Sequence, residues 1–178
     1  MILYVVKLMN NSQILVIQPY LKKSRELKEQ LLNEGISLVK AINLECVSSL
    51  IIGIEKMNPK TYFKSGNVNH LKRIVINLKV NLIFINSNIT PIQQRNLEKE
   101  TNCKIIDRTG LILEIFGSRA RSNEGKLSVS LATLKFQKSR LVRSWTHLER
   151  QRGGAGFMGG PGEKQIESDK RQLTEKIN

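Results

Sequence analysis

This sequence has almost no cysteine: Cys46 and Cys103 are the only two in 178 residues. Thiols so far apart form no metal-ligand spacing. Both sit in apolar stretches, so they read as small buried hydrophobes rather than as a disulfide. Long apolar runs are lacking as well. No stretch of 18 or more apolar residues occurs, which predicts no transmembrane helix, and the opening MILYVV meets Lys7 too early for a signal peptide. The expected location is the cytoplasm.

Catalytic vocabulary is equally sparse. The two histidines, His70 and His147, fall on different predicted helices, and Asp107 and Glu114 lie near a strand end and on the following helix. They make no nucleophile–base pair and no metal cluster. A phosphate loop of the Gly-x4-Gly-Lys-Ser/Thr type is absent too: the one Gly–Lys pair, Gly125–Lys126, is followed by Leu127. Without that string there is no lysine set to reach terminal phosphates and no hydroxyl set to hold magnesium.

What the sequence has in excess is positive charge: 29 basic against 15 acidic residues, a net +14. Residues 1–117 hold 16 basic and 9 acidic residues, whereas residues 118–178 pack 13 and 6 into about half the length. Between Arg119 and Arg152 there are 9 basic and 2 acidic residues. A field of that density attracts polyanions, nucleic acid first among them.

The first two-thirds alternates strand-like and helical stretches. QILVIQ (13–18), ECVSSLII (45–52), VNLIFIN (80–86) and CKIID (103–107) read as strands. Leu27, Leu31, Leu32, Leu38, Val39 and Ile42 recur at helical spacing, predicting one helix over about 25–42 straight through Gly35. A second helix is expected over 67–78. A third, over 90–101, has Thr90 as cap, Pro91 in the first turn and Gln93 three residues after the cap. Strands separated by helices predict an α/β domain over 1–117, a small, mostly parallel sheet flanked by helices.

From residue 118 the pattern changes to a second region, 118–178. Leu127, Leu131, Leu134, Leu141, Trp145 and Leu148 form a heptad seam, with Lys138 in the position the seven-residue step skips. Ile166, Leu173 and Ile177 repeat on one face after Pro161. The expectation is an antiparallel helical hairpin with a Gly-rich tip at about 152–162, its second helix still periodic at Asn178 and so cut short. The tip, RGGAGFMGGPGEKQ, follows a helix rather than a strand and opens no βαβ unit, so it fails the context of a nucleotide loop. Its bare backbone suits close approach to another backbone. Arg150 and Arg152 could pair with phosphates, Phe157 could stack on a splayed base, and the amides near Pro161–Glu163 favour an anion. A flexible connector is the alternative reading of the same loop.

The run from Thr90 to Leu173, with QQRNLE, DRTGLILEIF, EGKL and RGG-G--GGPGE-Q-E-D-R in that order, resembles the HflX family of translational GTPases. The resemblance continues more loosely back to about Ser24. It implies an N-terminal α/β domain and a helical hairpin that precede a GTPase domain, and docking on the large ribosomal subunit in ribosome splitting or rescue. By position it also implies rRNA contacts at Arg150, Gln151, Arg152, Gly153, Gly154, Gly156, Phe157, Gly159, Gly160, Pro161, Gly162 and Glu163, with Arg140 and Arg143 as phosphate-positioning charges on the shaft. Lys164 stands where the family usually has threonine. In YFKSGNVNHL, Lys64 replaces the first glycine of a Gly-x-Gly often found there, so no ATP site is expected. GTP and magnesium would require the GTPase domain, which the family has and this sequence lacks, so no cofactor and no hydrolysis are expected of this chain alone. The alternative is an enzyme: half of a split GTPase whose partner chain supplies the nucleotide site, or a residual ATPase.

Overall fold

The computed structural model describes residues 13–21, 27–151, 171–172 and 174–175. It divides into two units, Met1–Arg119 and Ala120–Asn178.

The first unit is a parallel sheet of four strands, β1 (Gln13–Leu21), β2 (Glu45–Ile54), β3 (Leu82–Ile85) and β4 (Lys104–Asp107), in the order β2-β1-β3-β4. Among the described residues four helices accompany it: α1 (Lys28–Lys40), α2 (Ser65–Leu78), α3 (Pro91–Thr101) and α4 (Arg108–Arg119). Both faces of the sheet are covered, which is why β1 and β3 read as continuous apolar runs instead of alternating ones. Leu15, Ile17, Ile83 and Ile85 pack with Val68, Leu71 and Val75 of α2 and Leu97 of α3. Ile14, Val16, Leu82 and Phe84 pack on the other side with Val39 of α1 and Leu111 and Ile115 of α4. The expected α/β class and parallel sheet are what the chain forms.

The local differences have physical causes. Strand β1 runs three residues past the expected Gln18, through Pro19 to Leu21. Pairing with β3 stops at Ile17, so Pro19, which has no N–H to donate, lies where β1 has β2 alone as neighbour. A register shift between Ile14 and Leu15 sets Cys46 and then Ser48 opposite consecutive β1 residues. That bulge reverses the faces of β2: Cys46 packs on the α1 side, Ile52 and Ile54 on the α2 side. Helix α1 is shorter than the expected 25–42. Asn43 adopts φ 58° and Leu44 N–H bonds back to Val39 O at 3.4 Å, which closes the helix at Lys40. Of its expected apolar stripe, Leu27 and Leu31 are exposed, whereas Val39 is buried, as is Gly35 one turn before it. Helix α3 has the expected capping box: Gln93 N–H donates to Thr90 Oγ1 at 3.2 Å and Thr90 N–H to Gln93 Oε1 at 2.9 Å.

The second unit contains α5 (Asn123–Gln151), 29 residues without a break. Ser122 caps it, its Oγ accepting from Gly125 N–H at 3.1 Å. Among the described residues, no helix is long and apolar enough to cross a membrane.

Candidate nucleic-acid interface

At 1.5 Å per residue, α5 is a rod ~43 Å long that ends at Gln151, where the glycine-rich stretch begins. Its interior carries no proline, and its sole glycine, Gly125, lies in the first turn, so nothing interrupts the hydrogen-bond ladder. Thr133 and Ser139 turn their hydroxyls back onto the carbonyls of Val129 and Phe136, at 2.8 and 2.7 Å.

Arg140 is half-buried, with its guanidinium carbon 4.4 Å from the centre of the Phe136 ring, a cation–π contact that aligns the arginine along the rod. Arg143, Arg150 and Gln151 occupy backbone positions in the second half of α5. At 100° per residue, positions 140, 143 and 150 fall within an arc of about 80°, on the side of the helix opposite positions 134, 141, 145 and 148. The remaining expected contacts, Arg152, Gly153, Gly154, Gly156, Phe157, Gly159, Gly160, Pro161, Gly162 and Glu163, lie outside the described residues, as does the return of the hairpin at 161–170. Further along, residues 171, 172, 174 and 175 are helical, and Arg171 Nε meets Glu175 Oε1 at 3.0 Å.

The heptad seam needs correction at its start. Leu127 is 71% exposed and Leu131 37%, while the buried position on this part of α5 is Thr133, beside half-buried Val129 and Phe136. Leucines that share a face need something to cover them.

In the first unit, the fold's own place for a ligand is the crevice at the carboxyl ends of β1 and β3, where the chain order reverses. Side chains fill it. Asn86, just past β3, donates from Nδ2 to Gln18 Oε1 at 2.7 Å and to Leu31 O at 2.8 Å. Its Oδ1 accepts from Arg108 at 2.9 Å, and Arg108 forms a two-pronged pair with Glu34 at 2.6 and 3.0 Å. That hydrogen bond holds the Glu34 carboxyl below its ordinary 4.5 and raises Arg108. Gly35 makes room: a Cβ there would sit 3.1 Å from Asn86 Nδ2. Sequence reading missed this network, because periodicity registers apolar residues. The available signal was a pair of amides, Gln18 and Asn86, at the ends of adjacent strands.

Asp107 and Glu114 do not act as a pair. Asp107 is buried, and its Oδ1 accepts from Gly110 N–H at 2.9 Å at the start of α4. Glu114 is 4% exposed, and burial pushes its carboxyl up to about 7. Among the described residues its Oε1 has no hydrogen-bond partner. Cys103 is buried and its thiol is pushed up to about 12, as expected of an inert core residue; Cys46 is half-buried and raised in the same direction. A pocket of about 180 Å3 opens beside the end of β2, lined by Gly53, Ile54, Glu55, Phe63, Lys64 and Asn67. Lys64 is paired with Glu55 across it. No group of three or more His, Cys, Asp or Glu side chains converges on a metal position among the described residues.

Two family models match in tandem. Residues 29–117 fit the N-terminal region of GTP-binding GTPases, and residues 119–178 fit their middle region. The GTPase HflX of Magnetococcus marinus is 51% identical over 157 residues. The chain belongs to the HflX family of GTPases. The Escherichia coli K12 HflX is 39% identical over 165 residues. These alignments cover 88% and 93% of the chain but 36% and 38% of the relatives, so the chain spans little more than a third of the HflX length it matches. A GTP-binding protein from Sulfolobus solfataricus, solved in complex with GDP, shares the fold at 20% identity and a TM-score of 0.59, covering 93% of this chain and 44% of that one.

Proposed function

We propose that this chain is the ribosome-docking N-terminal region of an HflX-type GTPase. It acts in the cytoplasm, contacts rRNA of the large subunit and supports ribosome splitting or rescue. The observation that carries this reading is the concentration of charge along and beside one unbroken helix: nine basic and two acidic residues between Arg119 and Arg152, six of the basic ones and both acidic ones within α5. A rod of this length presents Arg140, Arg143 and Arg150 within one arc and leads into a glycine-rich loop. In this reading the arginines position the phosphate backbone, and Gly153–Gly162 with Phe157 reads folded RNA by shape and stacking.

The chain itself hydrolyses no GTP; GTP and magnesium belong to the remainder of an HflX protein, on the same chain or another. The residual-ATPase reading is less well supported. Lys64, the cation nearest the pocket beside β2, is held by Glu55, and the crevice at the sheet's switch point is filled by Asn86, Arg108 and Glu34.

Co-sedimentation with purified large subunits across a salt series tests the proposal, beside a variant carrying Arg150→Ala, Arg152→Ala and Phe157→Ala. Each phosphate contact contributes about 0.7–0.9 to the log–log salt slope, so the variant should bind more weakly with a slope lower by about 1.5. Equal binding and equal slope for the two proteins would sink the reading.

A further inference from the structure

The two helical layers of the first unit carry similar charge, but in the layer of α2 and α3, with four basic and two acidic residues, the acids are confined to Glu98 and Glu100 of α3 and α2 has none. On one side of the sheet, α1 and α4 carry four basic and three acidic residues between them. On the other side lie α2, α3 and the loop that precedes α2. Between Glu55 and Glu98 there is no acidic residue at all, while seven basic ones occur. That acid-free span runs through the loop and the whole of α2 to the middle of α3.

Helix α2 shows how the charge is displayed. It buries Val68, Leu71 and Val75 against the sheet and turns Asn69, Lys72, Arg73 and Ile76 to solvent, with Lys79 at its C-terminal end. Ile76 is 63% exposed. Lys79 takes the left-handed backbone that ends the helix, φ 52°. Lys72, Arg73 and Lys79 make no ion pair among the described residues, in contrast to Lys64, which Glu55 neutralises. The adjoining loop adds exposed Lys56 and Lys60 and is fastened to α3 by Gln93 Nε2 donating to Asn58 O and Asn96 Nδ2 to Lys60 O, both at 2.8 Å. The charges therefore stand on a rigid helix and a tethered loop.

A solvated protein surface ordinarily mixes both signs, since interspersed charges limit self-repulsion. Apart from Glu55, which Lys64 holds, the face carries cations and amides and no carboxylate, and so complements a partner made of evenly spaced anions. It does not complement a protein surface, which would bring cations of its own.

We propose that the outer face of α2 with its preceding loop is a second RNA-phosphate contact surface, separate from the α5 rod, with Lys72, Arg73 and Lys79 as its central charges. This rests on the reading of the chain as an RNA-docking region and extends it. The contacts are to backbone, so they add affinity and orientation rather than sequence preference.

The test uses the full chain with two probes, purified large ribosomal subunits and a blunt RNA duplex. Three proteins accompany the parent: Lys72→Gln/Arg73→Gln/Lys79→Gln on the face, a charge-matched control Lys28→Gln/Lys40→Gln/Lys104→Gln on α1 and β4, and the Arg150/Arg152/Phe157 alanine variant. Far-UV circular dichroism checks that each is folded. The face variant should lower the log–log salt slope by about 2 to 3, and the control by less than 1. Equal losses in face and control variants would reduce the effect to generic attraction and overturn the proposal, as would an unchanged slope in the face variant. Loss of subunit binding in the alanine variant, with the slope of the face variant intact, would leave the hairpin reading standing and remove this one. A parent that ignores subunits, with a face-dependent slope on the duplex, would do the reverse. Face-dependent binding to phosphatidylglycerol vesicles without any on RNA would assign the surface to anionic lipid and also overturn the proposal.

Discussion

Replacing Glu114 by methionine should stabilise the first unit, by an amount that depends on pH. Glu114 is 4% exposed, and burial lifts its carboxyl from an ordinary 4.5 to about 7. A carboxyl whose folded value is raised binds its proton more tightly in the folded state than in the unfolded chain. Its contribution is therefore most favourable below about 4.5, declines as pH rises between 4.5 and 7, and is fully unfavourable above 7. A shift of about 2.5 pH units at 1.36 kcal/mol each corresponds to ~3 kcal/mol between pH 4.5 and pH 8. Methionine matches the length of glutamate, brings no polar atom and leaves no oxygen unsatisfied. Glu114→Met should thus be more stable than the parent by ~3 kcal/mol at pH 8, and by no more than about 1 kcal/mol at pH 4.5. Urea unfolding followed by circular dichroism from pH 4.5 to 8 measures both curves, and their difference removes the titrating groups that do not interact with Glu114. A parent and variant whose stabilities stay parallel across that range would show that Glu114 is not the buried, proton-binding group described above.

Two further outcomes concern the crevice at the ends of β1 and β3. Gly35→Ala gains about 1 kcal/mol of helix propensity in α1 but sets a methyl group 3.1 Å from Asn86 Nδ2, which Gln18 and Leu31 hold in place. Asn86 has no free direction to move, so the net change should be a loss of ~1–2 kcal/mol in urea melts, and a gain would refute the tight fit. Glu34→Gln removes one arm of a pair whose side chains are 33% and 42% exposed, so at pH 7 the cost should stay near ~1 kcal/mol. Because the Glu34 carboxyl is lowered, its contribution is present above about 4.5 and fades as pH falls below it. Parent and Glu34→Gln should therefore converge in acid, and divergence there would contradict the assignment.

The parts of this fold that could be read from sequence were those encoded by neighbours along the chain. Thr90, Pro91 and Gln93 write the start of α3 within four residues, and the capping box is present as spaced. The apolar runs of β1 and β3 announce a sheet covered on both faces. What could not be read depends on partners distant in sequence. Pro19 looks like a strand terminator until β3 is seen to stop at Ile17. The bulge in β2 is a matter of register against β1, invisible in ECVSSLII alone. Asn86, Gln18, Glu34 and Arg108 belong to four different elements or their ends, and no local pattern joins them. The heptad of α5 was legible as a stripe of leucines, but the sequence of one helix does not say how far along a partner runs, and Leu127 and Leu131 are left in solvent. The glycine-rich loop was legible as composition, and its candidate residues from Arg152 to Glu163 rest on resemblance and chemistry rather than on described geometry.

An unbroken helix is also a ruler whose two readings, distance and direction, can be altered separately. Removing seven residues from the middle of α5 would draw Gln151 back by ~10 Å while turning it by only about 20°, so the arginines would keep their bearing and lose their reach. Removing two would shorten the rod by ~3 Å and swing everything beyond the cut through about 160°, keeping most of the reach and losing the bearing. If the far end must meet a fixed feature of a large partner, those two deletions would fail for different reasons, and reinserting a heptad would repair only the first.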